Sequence, residues 1–441
     1  MHHRNWLGVI FLLHFCEARV CRSSSGNTSV EQMWRRNENN VRYCIANCLG
    51  LTPEAKSKAS KTCQFDSSWG RVQGCDSTFI VPKKSKFKLI CNMELFRDLS
   101  IIIDTPKTSL CDMITLNIAV FNPNTSEMEV APDRIANVPS TINWAKQLGI
   151  KILFNVGSWD AFVMHPKEIT KLASDSNAQT TKFIESIYSL IKKFDLDGVY
   201  FAWCWPGCTQ NYCTNDILRK KVSQFIRDLA QPLKDKGQLF TYLIPGNAAK
   251  AGITLGDYFS DIVDVVDFFI FESHLQSGDW AQTAEFNFNL KETKKVLSEY
   301  LAIVKSPRFR SKIMFTFQTW IFNYELVGAS AKIGGTVIKN SQIKKFLGIR
   351  DWCKAVRDNT YDVVRNPETQ NYAVKGNTLF AFDDVESIKA KVKYVMSFGS
   401  GVVITDMLYD DFTGDCGCGK MPFLRVIANT LKMMCDPLPC F

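Results

Sequence analysis

The chain has 441 residues, of which 46% are hydrophobic, 12% aromatic and 22% charged. This composition supplies a large apolar core and excludes an intrinsically disordered protein. The net charge of +9 comes without interleaved stacking aromatics, so nucleic acid is not an expected partner.

The N-terminus has the features of a secretory signal peptide. Arg4 precedes the apolar run Trp6–Phe15, and the residues up to Ala18 suit cleavage. The run is about half of the roughly 20 residues that a membrane span needs, and no other stretch is apolar enough to span a bilayer. We therefore expect residues 1–18 to be removed and the protein to be secreted to the extracellular space, where its 16 cysteines can form disulfides.

Two segments are expected before the main domain. Residues 19–42 are polar and are predicted to be flexible. Residues 43–82 are predicted to form a Cys-rich module with two disulfides, because the segment is too small to fold on an apolar core alone. Its connectivity stays open, as does the choice between a protease-inhibitor-like and a matrix-binding fold. The four cysteines of the module are Cys44, Cys48, Cys63 and Cys75.

Two surface features bear on modification and partners. N-glycosylation sequons begin at Asn27 and Asn124 and require an exposed loop. The densest basic cluster is interpreted as a solvated linker, and the alternatives are contact with an acidic glycan such as heparan sulfate or with a membrane surface. This cluster consists of Lys83, Lys84, Lys86 and Lys88.

Residues 83–436 alternate short apolar runs with amphipathic stretches of helical length. The runs are nearly continuous in apolar residues, as strands buried on both faces are. Eight such runs occur: Phe87–Cys91, Met113–Phe121, Ile150–Val156, Gly198–Trp203, Leu239–Ile244, Val265–Phe271, Ile313–Phe317 and Gly401–Ile404. The helix candidates include Ala178–Phe194, Asn215–Lys236 and Asp384–Met396, the last with Asp384 as N-cap. This alternation predicts an α/β fold, the (β/α)8 TIM barrel.

The connection between the seventh and eighth runs is unusually long. Residues 321–380 contain strand-like pieces of their own, Gly334–Ile338 and Thr378–Phe382. Because structureless loops of such length are uncommon in compact domains, we predict a small α+β insertion between strands 7 and 8.

The most informative stretch runs from Asp197 to Gly207 and reads DGVYFAWCWPG. An apolar strand leads into a Trp-Pro-Gly turn, where a (β/α) barrel presents side chains at its C-terminal face. The stretch resembles the D-G-x-D-x-D-x-E-Y-P-G signature of family 18 glycoside hydrolases, the chitinases and chitinase-like proteins. The second Asp of that signature falls on Tyr200, the third on Ala202 and the catalytic Glu on Cys204.

Four further segments resemble this family in the same order, and the resemblance covers residues 87–435. It implies a disulfide between Cys91 and Cys111, and it places the predicted insertion where chitinases carry theirs. The third-strand match departs from the family at Asn155 and Ser158. The four segments are Phe87–Cys91, Lys151–Trp159, Phe380–Lys389 and Leu408–Phe412.

The resemblance implies a substrate-assisted hydrolysis of chitin whose residues are missing here. Ala202 stands where an Asp would orient the substrate's N-acetyl group, and Cys204 stands where a Glu would protonate the leaving oxygen. Loss of a general acid alone costs roughly 10²–10⁴-fold in rate. We therefore expect no chitin hydrolysis, and we expect neither a cofactor nor a metal.

The sugar site implied by the resemblance is altered elsewhere too. The family's sixth-strand M-x-Y-D falls on Phe269–Glu272, which removes a Tyr hydroxyl at Phe271, and the eighth-strand Trp falls near Thr405. Trp159 matches a family Trp and is either a stacking platform or a core residue, as is Phe96. The residues predicted to contact a glycan are Trp159, Phe96, Glu272 and Asp406.

These observations favour a secreted, non-catalytic chitinase-like protein. It would bind a chito-oligosaccharide, an acidic glycan or a cell-surface receptor in a lectin, growth-factor or immune-modulating role. One alternative is an enzyme that uses Cys204 as nucleophile with His274 as base, although a disulfide to Cys208 or Cys213 suits a secreted chain better. Another places the function in the Cys-rich module. The oligomeric state stays open.

Two further predictions concern structural residues. Asp197 is expected to make a structural hydrogen bond in the barrel, and Asp410 and Asp411 are expected to cap a loop. Cys416 and Cys418 are predicted to form disulfides. Their partners stay open among Cys353, Cys435 and Cys440.

Overall fold

A computed structural model describes most of the chain from residue 86 onward. The described residues are 86–93, 110–131, 138–157, 168, 171–173, 178–203, 216–246, 258–274, 276–277, 281–328, 331–338, 346–357, 361–366, 370–405, 407–417 and 419–432. The chain divides into two units, Lys86–Ala428 with Cys440–Phe441 and Met1–Ser85 with Asn429–Pro439. The predicted signal peptide, the Cys-rich module and the sequon at Asn27 lie outside the described residues.

Eight parallel strands form a closed barrel. They are β1 (Lys88–Asn92), β2 (Met113–Leu116), β5 (Lys151–Val156), β6 (Gly198–Phe201), β7 (Leu239–Pro245), β8 (Phe268–Glu272), β9 (Ile313–Gln318) and β15 (Gly401–Thr405). Their order around the barrel is β1-β15-β9-β8-β7-β6-β5-β2. Each of the eight apolar runs overlaps one of these strands, which confirms the predicted (β/α)8 barrel.

Helices follow most barrel strands and pack on the outside. They are α1 (Val138–Leu148), α2 (Ala178–Phe194), α3 (Asp216–Asp235), α4 (Tyr258–Ile262), α5 (Leu290–Ile303), α6 (Pro307–Arg310), α7 (Ile349–Arg357), α8 (Val385–Phe398) and α9 (Pro422–Leu431). The predicted cap at Asp384 is confirmed. Its carboxylate accepts the backbone N–H of Ser387 at 2.9 Å, and the Ser387 hydroxyl oxygen accepts the N–H of Asp384 at 3.0 Å.

The second apolar run does not form a single strand, contrary to the expectation for Met113–Phe121. After β2 the chain leaves the barrel and forms an antiparallel hairpin from β3 (Ala119–Asn122) and β4 (Glu127–Val130). The apolar side chains of this hairpin pack on α2, where the Phe121 and Phe183 rings lie 5.9 Å apart. The hairpin turn exposes Asn124, as a glycosylation site requires.

Within its described residues, the insertion between β9 and β15 forms a five-stranded antiparallel sheet and one helix. Its strands are β10 (Trp320–Glu325), β11 (Phe346–Gly348), β12 (Asp362–Val364), β13 (Asn371–Lys375) and β14 (Thr378–Phe382), in the order β11-β10-β14-β13-β12. The Trp352 ring of α7 covers one face, at 5.1 Å from the ring of Phe380. The predicted strand Gly334–Ile338 is reduced to two isolated bridges, one from Thr336 and one from Val337.

Two disulfides brace the described part of the chain. Cys91 pairs with Cys111, as the family resemblance implies, and this bond ties β1 to the segment before β2. Cys353 pairs with Cys416 and ties α7 to the loop after β15, which selects one of the three partners that the sequence left open.

Aspartates at the starts of three barrel strands bond to the neighbouring strand. Asp112, Asp197 and Asp267 precede β2, β6 and β8, and each accepts a backbone N–H at 2.8 Å. The donors belong to Leu89, Ile152 and Phe240. Asp197 therefore makes the predicted structural hydrogen bond, at the end of the barrel opposite the C-terminal face.

Candidate functional site at the barrel mouth

Side chains of the barrel strands alternate between the interior and the surrounding helix layer. One interior cluster consists of Ile90, Met113, Leu153, Tyr200, Leu243, Ile270, Met314 and Val403. Steps of two residues from this cluster toward the strand ends give the interior positions at the mouth. They are Asn92, Thr115, Asn117, Asn155, Ala202, Pro245, Glu272, Thr316, Gln318 and Thr405. The barrel interior thus changes from apolar to polar toward its C-terminal face.

Hydrogen bonds hold several of these polar side chains in place. The Thr115 hydroxyl donates to Asn92 Oδ1 at 2.8 Å. Asn155 Nδ2 donates to Asn117 Oδ1 at 2.9 Å. All four side chains are buried, so the part of the mouth formed by β1, β2 and β5 is fixed by polar contacts.

Three interior side chains carry polar atoms without a hydrogen-bond partner among the described residues. These atoms are Asn155 Oδ1, Thr241 Oγ1, and both Nε2 and Oε1 of Gln318. Asn155 and Thr241 are fully buried and Gln318 is 6% exposed. Because each buried unpaired group costs about 1–3 kcal/mol, such groups mark places where a polar ligand or a water molecule would bond.

The signature strand β6 places a phenol and a methyl group in the interior. Tyr200 belongs to the interior cluster, and Ala202 packs against it. The intervening Phe201 and Trp203 point into the helix layer, where both pack near Phe225 at centroid distances of 6.2 and 6.4 Å. The odd-numbered positions of this stretch therefore pack in the helix layer, and the even-numbered positions face the barrel interior.

A family model described as Glycosyl hydrolases family 18 matches residues 92–407, from the end of β1 to beyond β15. The chain belongs to glycosyl hydrolases family 18. This membership agrees with the barrel and the insertion described above.

Several known proteins are similar to this family 18 chain. Probable chitinase 10 of Drosophila melanogaster is 23% identical over 311 residues, which make up 65% of this chain but only 13% of that protein. Catalytic domain 2 of the Group II chitinase of Ostrinia furnacalis superposes with a TM-score of 0.68 at 19% identity, covering 81% of this chain and 99% of that domain. Human YKL-39, described as a pseudo-chitinase with retained chitooligosaccharide binding, gives 0.66 at 18% identity, covering 78% and 99%.

The interior of this family 18 barrel holds few charges near its mouth. Tyr200 and Ala202 occupy interior positions that the signature assigns to aspartates. Among the interior positions of the described barrel strands, Glu272 at the end of β8 is the only carboxylate, and it is 2% exposed. The arrangement therefore offers neutral hydrogen-bonding groups and one acid, on a strand other than β6.

Phe271 does not lie in the mouth, which corrects the expectation that it removes a sugar-contacting hydroxyl. Its ring lies in the helix layer, 6.0 Å from the ring of Tyr300 and 5.8 Å from that of Phe315. The alternation of β8 turns Ile270 and Glu272 inward instead. Matching residues by sequence motif alone therefore placed this position on the wrong face of the strand.

Thr405 and His274 are both held by hydrogen bonds at the ends of their strands. The Thr405 hydroxyl donates to the carbonyl oxygen of Phe317 at 3.2 Å. His274 Nδ1 lies 2.7 Å from the hydroxyl oxygen of Thr316. Burial lowers the pKa of His274 to about 3, so its ring is neutral and a weak base.

The remaining predicted site residues lie outside the described residues: Phe96, Trp159, Cys204 and Asp406. Within the described ranges, no group of His, Cys, Asp and Glu side chains has the arrangement of a metal site. No helix in those ranges is long and apolar enough to cross a membrane.

Sequence reasoning missed several polar residues of the mouth. Asn92, Thr316 and Gln318 stand within or next to apolar runs and were treated as parts of strands. These residues could be recognised by their spacing, since each is separated by an even number of residues from an apolar interior position of the same strand. That spacing carries information only once the inward face of each strand is known.

Proposed function

We propose that this family 18 protein is a secreted, non-catalytic chitinase-like protein that binds a glycan at its barrel mouth. The observation that carries this proposal is the composition of β6. Tyr200 and Ala202 face the interior where the family signature has carboxylates. The sequence adds Cys204 at the position of the catalytic acid.

The missing groups supply two separate parts of the family's chemistry. A general acid protonates the leaving oxygen, and a carboxylate on β6 stabilises the positive charge that develops on the sugar. The methyl group of Ala202 can do neither. Glu272 lies on β8, two strands away from β6 in the barrel, and one carboxylate cannot serve as both acid and stabiliser in the same step.

The groups that remain suit binding of a neutral sugar. Asn155 and Gln318 of the mouth have polar atoms that lack partners among the described residues. Together they offer acceptors and donors to hydroxyl and acetamide groups without adding charge. Human YKL-39, described as a pseudo-chitinase with retained chitooligosaccharide binding, is a structural relative that supports this class of ligand.

Secretion is supported by the sequence and by the cysteines. The apolar run near the N-terminus favours a signal peptide. The two disulfides, Cys91–Cys111 and Cys353–Cys416, suit an oxidising compartment.

Calorimetric titration with the tetramer of N-acetylglucosamine tests the binding part of the proposal. We expect measurable binding, and we expect Gln318→Leu to weaken it roughly tenfold because an apolar side chain cannot bond the ligand. Asn323→Leu is the matched control, since Asn323 is also a buried amide with an unpaired oxygen but lies on β10 of the insertion. Absence of binding, or equal losses in both variants, would contradict a glycan site at the mouth.

The alternative enzyme would use Cys204 with His274 as base. The pKa of about 3 and the hydrogen bond to Thr316 make His274 a poor base for activating a thiol. Labelling of native protein with a thiol-reactive probe distinguishes the two accounts. Rapid labelling of Cys204 that falls in a His274→Ala variant would favour the enzyme.

A further inference from the structure

The end of the barrel where the strands begin carries an excess of positive charge. We call this end the basal face and define it by the segments 146–151, 192–198, 234–239, 261–268 and 305–313, which lead into β5, β6, β7, β8 and β9. These segments contain ten Lys and Arg residues against six Asp residues and no Glu. Because the five strands are consecutive neighbours in the barrel, the segments form one arc.

Direct contacts join neighbouring segments of this arc. Lys146 forms an ion pair with Asp195 of the next segment. Lys234 Nζ donates to the carbonyl oxygen of Asp264 at 2.5 Å. Lys312 Nζ donates to two backbone carbonyl groups of the segment 261–268, at 2.6 and 2.7 Å. The basal face is therefore a continuous surface rather than a set of separate loops.

Most of its acidic groups already have partners. Asp197 and Asp267 accept backbone N–H groups at strand starts. Asp195 pairs with Lys146, and Asp264 pairs with Arg227 at 2.8 Å. The exposed cations of the face that form no salt bridge within the described residues are Lys151, Lys192, Lys193, Lys236, Lys305, Arg308 and Arg310.

The positive groups also act on one another. Burial lowers the pKa of Lys312, and repulsion from Lys234 and Arg308 acts in the same direction, whereas Asp267 and Asp264 oppose the shift. Burial raises the pKa of Asp267, and the nearby charges of Lys312, Lys234 and Lys151 act in the opposite direction. Cations from three different segments thus lie within electrostatic reach of one another, and an added anion would relieve their repulsion.

We propose that the basal face binds a linear sulfated polysaccharide. Sulfate groups repeat along such a chain, as the exposed cations repeat along the arc, and the attraction requires no deep pocket. This site would be independent of the glycan site at the mouth, which lies at the opposite end of the strands.

Two other polyanions fit the face less well. Membrane binding calls for apolar side chains that enter the bilayer, and Leu148 is the only exposed large hydrophobic residue of the basal face. Single-stranded nucleic acid calls for open aromatic platforms. The rings of Tyr188 and Phe194 at this end are each covered by a lysine, with Nζ 5.6 and 5.3 Å from the ring centroid.

Heparin affinity chromatography and titration with a defined heparin fragment test the proposal on the full chain. We expect salt-sensitive binding that Lys192→Gln/Lys193→Gln weakens roughly tenfold at physiological ionic strength. The control is Lys291→Gln/Lys332→Gln, which removes the same net charge from exposed lysines of α5 and the insertion. We expect the control to retain most of the affinity, and thermal unfolding verifies that both variants fold.

Three outcomes would overturn the proposal. The wild-type protein could fail to bind heparin, or the control pair could weaken binding as much as the basal pair does. Tighter binding to phosphatidylserine vesicles or to single-stranded DNA than to heparin would assign the face to those partners instead. The Gln318→Leu variant separates the two sites, since it should leave heparin binding unchanged whether or not it affects the sugar tetramer.

Discussion

Thr241 and Thr115 are two fully buried threonines of the barrel interior with different hydrogen bonding. Thr115 Oγ1 donates to Asn92 Oδ1 at 2.8 Å, whereas Thr241 Oγ1 has no partner within the described residues. Thr241→Val should therefore leave the free energy of unfolding unchanged or raise it by up to about 1 kcal/mol, because it removes an unpaired polar atom. Because Thr241 precedes Leu243 of the interior cluster and lies away from the mouth, the same variant should leave binding of the sugar tetramer unchanged. Chemical unfolding and calorimetric titration measure the two effects.

Thr115→Val is the matched control, since it removes the hydrogen bond that Thr115 donates to Asn92 Oδ1 and the one that it accepts from the Met93 N–H, and it should cost about 1–3 kcal/mol of stability. Equal destabilisation by both substitutions would mean that the Thr241 hydroxyl is not an unpaired group.

Asp410 makes stability depend on pH. Burial raises the pKa of its carboxyl to about 6, the adjacent Asp411 acts in the same direction, and three backbone N–H groups oppose the shift. Since the folded-state pKa lies above the unfolded value of 3.8, the protonated form favours folding. The associated stability is fully present below about pH 4 and is lost as pH rises to about 6, by an amount on the order of 3 kcal/mol.

Asp410→Asn removes this titration and keeps one side-chain oxygen as acceptor for the start of α9. Relative to wild type, the variant should gain stability between pH 4 and pH 6 and show a constant difference above that range. Urea unfolding at several pH values provides the measurement. A difference between the two proteins that does not change with pH would refute this role for Asp410.

The barrel strands could be found from sequence because both of their faces are buried. Apolar runs marked all eight strands, but they did not show which side chains face inward. That gap explains the error at Phe271, whose ring packs on Tyr300 of α5. It also explains why Thr316 and Gln318 were missed, since the role of a polar residue within or next to an apolar run depends on the face of the strand that it occupies. The prediction of a single strand over Met113–Phe121 was wrong for another reason, because the second half of this run packs on α2 rather than in the barrel.

Helix α8 carries a buried ion pair that fastens the insertion to the barrel. Lys391 Nζ lies 2.6 Å from Asp383 Oδ1, and the Lys391 side chain is fully buried. Gln370 donates to the same carboxylate at 3.2 Å and accepts the backbone N–H of Asn287 at 3.0 Å. Asp383→Asn should lower the free energy of unfolding by about 3–5 kcal/mol, because it leaves the Lys391 charge buried without its partner.

The double variant Asp383→Asn/Lys391→Met should be less destabilised than the sum of the two single variants, since no charge then stays buried. The pair Lys389–Glu386 of the same helix, in which Glu386 is exposed and Lys389 half-buried, is the control, and neutralising it should change stability by less than about 1 kcal/mol. Additive effects at Asp383 and Lys391 would show that the pair does not act as a unit.

The fold and the family could be predicted from the sequence, whereas the surfaces proposed to bind ligands could be predicted only in part. Motifs in the right order identified the family, and the cysteine pairing that it implied is present. The basal face could not be recognised, because its charges are spread over five segments between residues 146 and 313 and meet only when the barrel closes. The densest basic cluster in the sequence was instead the linear one from Lys83 to Lys88. Of its lysines, Lys83 and Lys84 lie outside the described residues.

This family 18 barrel has a polar mouth with one carboxylate, Glu272, and a basic opposite end. The function proposed for the mouth is binding of a glycan without hydrolysis. That claim depends on Tyr200 and Ala202, which leave Glu272 as the only carboxylate at the interior positions of the described strands.

The most direct test is prolonged incubation of the purified protein with a chitooligosaccharide, followed by chromatographic analysis of the products. A chitinase serves as positive control, and a Glu272→Gln variant reports whether any turnover belongs to this protein. We predict that the oligosaccharide remains intact with the wild-type protein, even at concentrations that saturate binding. Release of shorter sugars by the wild-type protein, abolished by Glu272→Gln, would contradict the account.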